Sequence, residues 1–454
     1  MAFTFRGGIH VPEHKNTASC PIERFPAPEL IYIPMQQHIG APAQPTVAVG
    51  DKVTLGQVVG VVQGLGSKVH SSVSGTVEAI NTLKDAQGRS VRTIVIRNDF
   101  ENTRCPDIKP YYEQYDTDED ITVERLAELV ESAGISGLGG ATFPTHVKIL
   151  SAKGKAERVI INCAECEPYI TANHRLMLEQ PDRLIWGLEI IMQAFGVSEG
   201  IIAIEDNKPD AIKLFTESTV NTPNIRVAVM KTKYPQGDER QLVYALFKKE
   251  IPTGKLPADI GCVIFNAETC AAVYDAVVNG MPLVERIVTV DGDCIVNPKN
   301  LLVPLGTPFS ALIAHCGLRP DKTLYKVVSG GPMMGNAQYD IDTPVVKGTA
   351  AILALSDEED RKNHVPAHCI RCGRCIKGCP MHLMPNYIMK YAKAEDFATA
   401  EEYGAMSCVE CGSCTYTCPG NVPIVQYIRI AKLKIGEERR KKAAEAKKKE
   451  EGNK

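Results

Sequence analysis

Eight of the sixteen cysteines in this chain lie near its C-terminus in two runs of one spacing. Cys369, Cys372, Cys375 and Cys379 precede Pro380, and Cys408, Cys411, Cys414 and Cys418 precede Pro419. Thiolates are soft ligands. Two residues between cysteines let consecutive thiolates wrap one iron-sulfur cube, while the fourth of each run, held by a Cys-Pro turn, ligates the other cube. The expected ligand sets are therefore crossed, with Cys369, Cys372, Cys375 and Cys418 on one [4Fe-4S] cluster and Cys408, Cys411, Cys414 and Cys379 on the second. Chemistry of that kind moves single electrons.

Zinc and disulfides are the competing uses of so many cysteines. Structural zinc sites pair two Cys-x-x-Cys units, or cysteines with histidines, across a longer loop. Disulfides need an oxidising compartment, yet the chain opens MAFTFRGGIH, without an apolar signal segment, and scatters eight further cysteines. The doubled run instead carries the signature of bacterial two-cluster ferredoxins. Cys163 and Cys166 form a separate Cys-x-x-Cys pair, but no second pair or nearby histidine completes a site, so packed thiols are expected there. Cys20, Cys105, Cys262, Cys270, Cys294 and Cys316 show no ligand-like spacing, and His10 and His14 belong to an N-terminal arm without apolar periodicity.

A second kind of chemistry is suggested by GLGGATFPTHVKIL, where Gly137, Gly139 and Gly140 precede a short helical stretch carrying Lys148. Glycines permit close backbone approach, and a helix N-terminus favours phosphate. Thr142 stands where a dinucleotide fingerprint needs its last glycine. Read alone, the segment is either a phosphate loop or a packed turn.

The elements that must position these residues make a chain of 454 residues, 44% hydrophobic and 23% charged, long enough for about three domains with real cores. The formal charge of −3 leaves no nucleic-acid footprint. The uncharged stretch from Asn300 to Leu318 is broken by Pro304, Gly306 and Pro308, so any membrane attachment is expected to come through partners. Residues 1–105 read as an arm followed by short valine-rich strands between Gly and Ser turns, resembling the barrel-sandwich hybrid of biotinyl and lipoyl domains. Lys68, in GLGSKVHS, lacks the flanking methionines of a modified carrier lysine, so a structural or docking β unit is expected. Residues 118–282 alternate helix and strand as an α/β domain, and 283–356 form a small mixed domain. Residues 360–430 hold the cysteine runs, with Leu383, Ile388, Tyr391 and Phe397 near helical spacing between them. Residues 431–454 read as a charged, solvated tail.

Five segments in order resemble the flavoprotein subunit of respiratory complex I: the glycine loop through Lys148, IINCAECEPY, KYPQGDERQ, FNAETCAAV and SGGPMMG. The resemblance implies an FMN site built from Gly137, Gly139, Gly140, Lys148, Asn162, Tyr234, Asn266 and Thr269. It places Glu165, Glu167 and Glu239 at the nicotinamide side, matches Asp238 to the first acid of the family's Gly-Glu-Glu, and makes 283–356 a ubiquitin-like β-grasp domain. One family aspartate has no acidic match, since Cys163 and Ala164 occupy that stretch. Over nearly its full length the chain is similar to the C subunits of Rnf electron-transport complexes. That likeness implies a multidomain α/β protein with two [4Fe-4S] clusters and FMN, using NAD(H) as substrate. It further implies a peripheral position on the cytoplasmic face of the membrane, beside integral membrane and iron-sulfur subunits, with ferredoxin an indirect partner in ion translocation. The rival readings are a soluble cobalamin-reductase-like flavoprotein and an electron-wire or assembly subunit with a vestigial flavin site.

Overall fold

The structure is a computed structural model that describes residues 2–114, 121–358 and 366–452. The expected domain starts at 118 and 360 lie outside the described residues. Four units are built around separate sheets or helices.

The N-terminal β unit pairs strand Ser90–Asn98 with Leu30–Pro34 and Gly75–Lys84, all antiparallel, and faces them with a smaller sheet of Gln44–Pro45, Val58–Val61 and Val69–His70. Alternating apolar residues fill the space between the sheets, with Ile31, Ile33, Val59, Val69, Ile94 and Ile96 fully buried. The central domain is a four-stranded parallel sheet in the order Ile225–Met230, Gly200–Glu205, Arg158–Cys163, Cys262–Asn266. Its strands are apolar runs such as GIIAIE, buried at every position, because helices cover both faces. Helices Pro181–Phe195 and Ala267–Val278 pack so closely that a Cβ at Gly187 would lie 2.6 Å from the Cys270 carbonyl oxygen. The third unit is a mixed six-stranded sheet with helix Phe309–Cys316.

The arm of residues 2–24 reaches beyond the barrel-sandwich unit to the neighbouring sheets. Phe3 bridges to Met230 at the edge of the central sheet, Ile9 bridges to Tyr234, and Ile22–Arg24 adds a parallel edge strand beside Lys299–Pro304. Backbone pairing holds it, which a reading of hydrophobic periodicity does not register. The C-terminal domain is helical, as its apolar spacing implies. Pro385–Lys393 and Phe397–Glu402 pack against Ile424–Gly452, and no strand occurs among the described residues 366–452. The tail, expected to be charged and solvated or disordered, continues that last helix to Gly452. Buried Ile428, Ala431 and Ile435 anchor its start, and Ala, Glu, Lys and Arg propagate it. Among the described residues no helix is long and apolar enough to cross a membrane.

One lysine joins three of these units. The fully buried Lys347 ammonium donates to the Lys68 carbonyl at 2.7 Å, the Gly134 carbonyl at 2.6 Å and Ser67 Oγ at 3.3 Å, without a carboxylate partner. Lys68 is therefore packed into a seam and does not stand on a free turn. Burial pushes Lys347 down to about 7, while an unfolded lysine titrates near 10.4. Between those values the unfolded chain binds more protons, so stability contributed by this site rises with pH. Lys347→Met orphans two buried carbonyls, at a cost of about 1–3 kcal/mol. Its thermal midpoint should fall below that of the parent by more at pH 9 than at pH 6, and equal deficits at the two pH values would contradict the assignment.

Candidate cofactor sites

The two cysteine runs share one backbone form. Arg371 and Gly373 in the first, and Glu410 and Gly412 in the second, take positive φ, and short helices Arg374–Lys377 and Ser413–Tyr416 follow. These reversals turn thiols three residues apart inward to a common centre. Cys379, Cys408, Cys411 and Cys414 line one cavity, closed by Met381, Leu383, Val425 and Ile428. Cys369, Cys372, Cys375 and Cys418 line another, beside Asn386 and Met389. Each cavity thus presents three thiols of one run and the last thiol of the other, and four sulfurs on an apolar wall suit an iron-sulfur cube.

The two cavities differ in surroundings. The first packs on the central domain, where Ile9, Tyr234 and Cys411 are buried together against Cys166, Met333 and Val409. The Tyr234 hydroxyl donates to the Cys411 carbonyl at 2.7 Å, and Gln241 Nε2 lies 3.2 Å from Met381 Sδ. A Cβ at Gly412 would stand 2.8 Å from the Met333 carbonyl oxygen, so glycine is required twice over, by space and by φ. At the second cavity Cys369 and Cys372 are exposed.

The glycine loop lies at the C-terminal edge of the parallel sheet, where α/β proteins place ligands. Asn162 and Asn266 are register partners at the ends of adjacent strands. Asn266 caps helix Ala267–Val278, accepting from the Glu268 and Thr269 amides, and Thr269 Oγ1 accepts from Leu138 N at 2.9 Å. A Cβ at Gly139 would come within 3.1 Å of Asn266 Cβ, whereas Gly140, at φ +131°, borders open space. Asn162 Nδ2 donates to the Gly237 carbonyl at 2.7 Å, and its Oδ1 accepts from Ala164 N. Asp238 caps helix Glu239–Phe247, and burial pushes its carboxyl up to about 6. Lys148 Nζ meets Glu239 at 2.5 Å and the Ile264 carbonyl at 2.7 Å. Exposed glycine backbone, two helix N-termini and a lysine therefore converge on one edge, and these residues fit a phosphate-bearing ring cofactor.

Three further residues expected in this pocket, Glu165, Glu167 and Tyr234, are hydrogen-bonded to other parts of the protein. Glu165 is buried and accepts from Asn173 N and His174 N at the start of helix Ala172–Glu179. Glu167 accepts from Met333 N at 3.1 Å and from the Tyr234 hydroxyl at 3.3 Å, and burial pushes it up to about 7. The single Tyr234 proton cannot fully serve both Cys411 and Glu167. A protonated Glu167 can instead donate to the phenol oxygen while the phenol donates to Cys411. The Cys163 and Cys166 thiols are raised by burial, the state of packed cysteines.

Sequence reasoning missed Lys15 in the arm, whose ammonium donates to the Glu165, Glu167 and Ile170 carbonyls at 2.6–2.8 Å and pins the loop above the cavities. It also missed Gly331, where any Cβ would collide with the Glu167 carboxylate. The only signal was a glycine pair in SGGPMMG.

Family models match residues 3–101 as the RnfC barrel-sandwich hybrid domain, 130–275 as the Nuo51 FMN-binding domain, 287–337 as an SLBB domain and 361–419 as a 4Fe-4S dicluster domain. The chain is 45% identical to the C subunit of the Na+-translocating ferredoxin:NAD+ oxidoreductase complex of Acetobacterium woodii, over 96% of this chain and 98% of that one. It belongs to the Rnf complex C-subunit family. The proton-translocating complex of Clostridium ljungdahlii has a C subunit 42% identical to it over 95% of this chain and 94% of the relative. For the ion-translocating complex of Rhodobacter capsulatus the figures are 43%, 97% and 85%. The family's fold is the one found here: barrel-sandwich, FMN-binding, SLBB and dicluster units in chain order.

Two substitutions probe the sites separately. Thr269→Val removes the bond that holds Leu138 and should weaken FMN binding about tenfold, read by flavin fluorescence, with iron content unchanged. Cys418→Ala should abolish the cluster of the exposed cavity and spare the other in electron paramagnetic resonance. Loss of the cluster carried by Cys408, Cys411 and Cys414 would refute crossed ligation.

Proposed function

We propose that this chain is the nicotinamide-reactive peripheral subunit of an ion-translocating ferredoxin:NAD+ oxidoreductase. On this reading it stands on the cytoplasmic face of the membrane beside integral membrane and iron-sulfur subunits, with ferredoxin reached through them. The observation that carries the reading is the seating of one four-cysteine cavity directly on the flavin-type domain, through Tyr234 and Cys411.

FMN, when bound, exchanges hydride with nicotinamide and single electrons with iron-sulfur clusters. The residues that would hold it are Gly137, Gly139, Gly140, Lys148, Asn162, Asn266 and Thr269. The glycine loop gives backbone access, the capped helix ends favour phosphate, and Lys148 balances Glu239 at the cleft. Glu239, 40% exposed at its side chain, would border nicotinamide while paired with Lys148. Glu165, Glu167 and Tyr234 shape the floor. They hold the IINCAECEPY loop, the SGGPMMG loop and the cysteine run at fixed separations. The crossed sets Cys408, Cys411, Cys414, Cys379 and Cys369, Cys372, Cys375, Cys418 then stand in series, near and far from the flavin domain.

The cobalamin-reductase-like alternative falls to the family assignment. The electron-wire alternative rests on Ala164 at the family's aspartate position, and purification separates it. Anaerobically reconstituted protein should bind FMN, and NADH should bleach its cluster absorbance. Cluster absorbance without flavin binding, and no bleaching by NADH, would overturn the assignment.

A further inference from the structure

The exposed cavity sits in an unusual stretch of surface charge. From His368 through Ala394 the sequence contains no Asp or Glu, while it carries Arg371, Arg374, Lys377, Lys390 and Lys393. All five basic side chains are exposed, and among the described residues none forms an ion pair. Lys390 and Lys393 each follow a residue lining the cavity, Asn386 and Met389, by one helical turn, so they extend the same rim. At the centre Ile370 is 69% exposed, between the exposed Cys369 and Cys372. The run that faces the flavin domain is built otherwise. Val409 is packed inside, and Glu410 is neutralised by Arg429 and Lys432.

We propose that this face docks an electron-carrier protein or domain whose own cofactor is ringed by carboxylates. An apolar centre with a charged rim is the usual anatomy of a transient interface, and clustered charge of one sign steers a partner of the other. The face also lies over the exposed Cys369 and Cys372, in the cavity other than the one seated on Tyr234, so a carrier there stands next to the outer electron site of the chain. The step is one electron passing from the reduced cluster here to the oxidised carrier, or back, with no bond made and no proton moved. Docking there rests on the reading that both cavities hold clusters, which the iron content and electron paramagnetic resonance of the reconstituted chain report separately from the rate.

The full chain, with clusters reconstituted and reduced by dithionite that is then removed, is mixed with a small acidic bacterial ferredoxin as the probe. The second-order rate is followed against ionic strength. Arg371→Glu/Arg374→Glu and, separately, Lys390→Glu/Lys393→Glu should each lower the rate at low salt by about tenfold or more and flatten its salt dependence. The second pair lies outside the cysteine run, so its effect cannot be ascribed to a damaged cluster. Cationic cytochrome c, offered as acceptor, should not be slowed by that pair. An unchanged rate with the acidic probe in both variants, or an equal fall with cytochrome c, would overturn the proposal.

Discussion

A cluster domain is useful to a flavin domain only if one set of thiolates is held close to it, because electron tunnelling falls steeply with distance. Here that constraint is met by a small buried junction. Tyr234 is 1% exposed, its hydroxyl reaches the carbonyl of Cys411, and its backbone pairs with Ile9 of the arm. Gly7 approaches the Cys379 carbonyl, and Gly412 approaches the Met333 carbonyl, at distances that exclude any side chain. Three segments far apart in the chain thus converge on one cavity, and the rest of the architecture can be read as support for that contact.

The arm and the N-terminal β unit acquire a role in this light. Lys15 ties the IINCAECEPY loop from above through three carbonyls. On the other side of the domain, Lys347 clamps the barrel-sandwich unit to Gly134, just before the glycine loop, while Ile39 donates to the Thr142 carbonyl at the end of that loop. His38 and His70, along the same seam, are pushed down to about 4 and about 3 by burial and then by the Lys347 charge, so they stay neutral and leave a single buried cation there. A buried lysine with only neutral acceptors is costly, which ties its presence to the geometry it enforces. The β unit is therefore a wall that holds the glycine loop in place.

Much of this was legible in the sequence. The strands of the central sheet and the helical character between the cysteine runs follow from apolar period, and the crossed cysteine sets coincide with the linings of two cavities. Asn266 and Asp238 were visible as residues at strand ends before helices, and both act as caps. Glu165, Glu167 and Tyr234 were read as pocket residues from their motifs; their hydrogen bonds to other loops were not legible, because a motif gives position along the chain but not the direction of a side chain. Burial turned all three inward. Lys15 and Lys347 were invisible for a related reason: a lysine in a polar segment has no periodicity, and only the fold brings three carbonyls to its ammonium. The path of the arm was missed because backbone pairing leaves no mark on side-chain pattern.

The two cysteine sites are unequal, and the inequality gives the chain a direction. In one, Cys379, Cys411 and Cys414 are buried and the site touches the flavin domain; in the other, Cys369 and Cys372 are exposed on a basic face. Electrons should therefore cross the buried site before reaching the open one. That order is tested most directly by mixing NADH with the Cys379→Ala protein loaded with FMN and the remaining cluster, and freezing samples on the millisecond scale for electron paramagnetic resonance. The flavin should be reduced while the cluster of the open cavity stays oxidised on the timescale at which it is reduced in the parent protein. Reduction of that cluster at the parent rate would contradict that order.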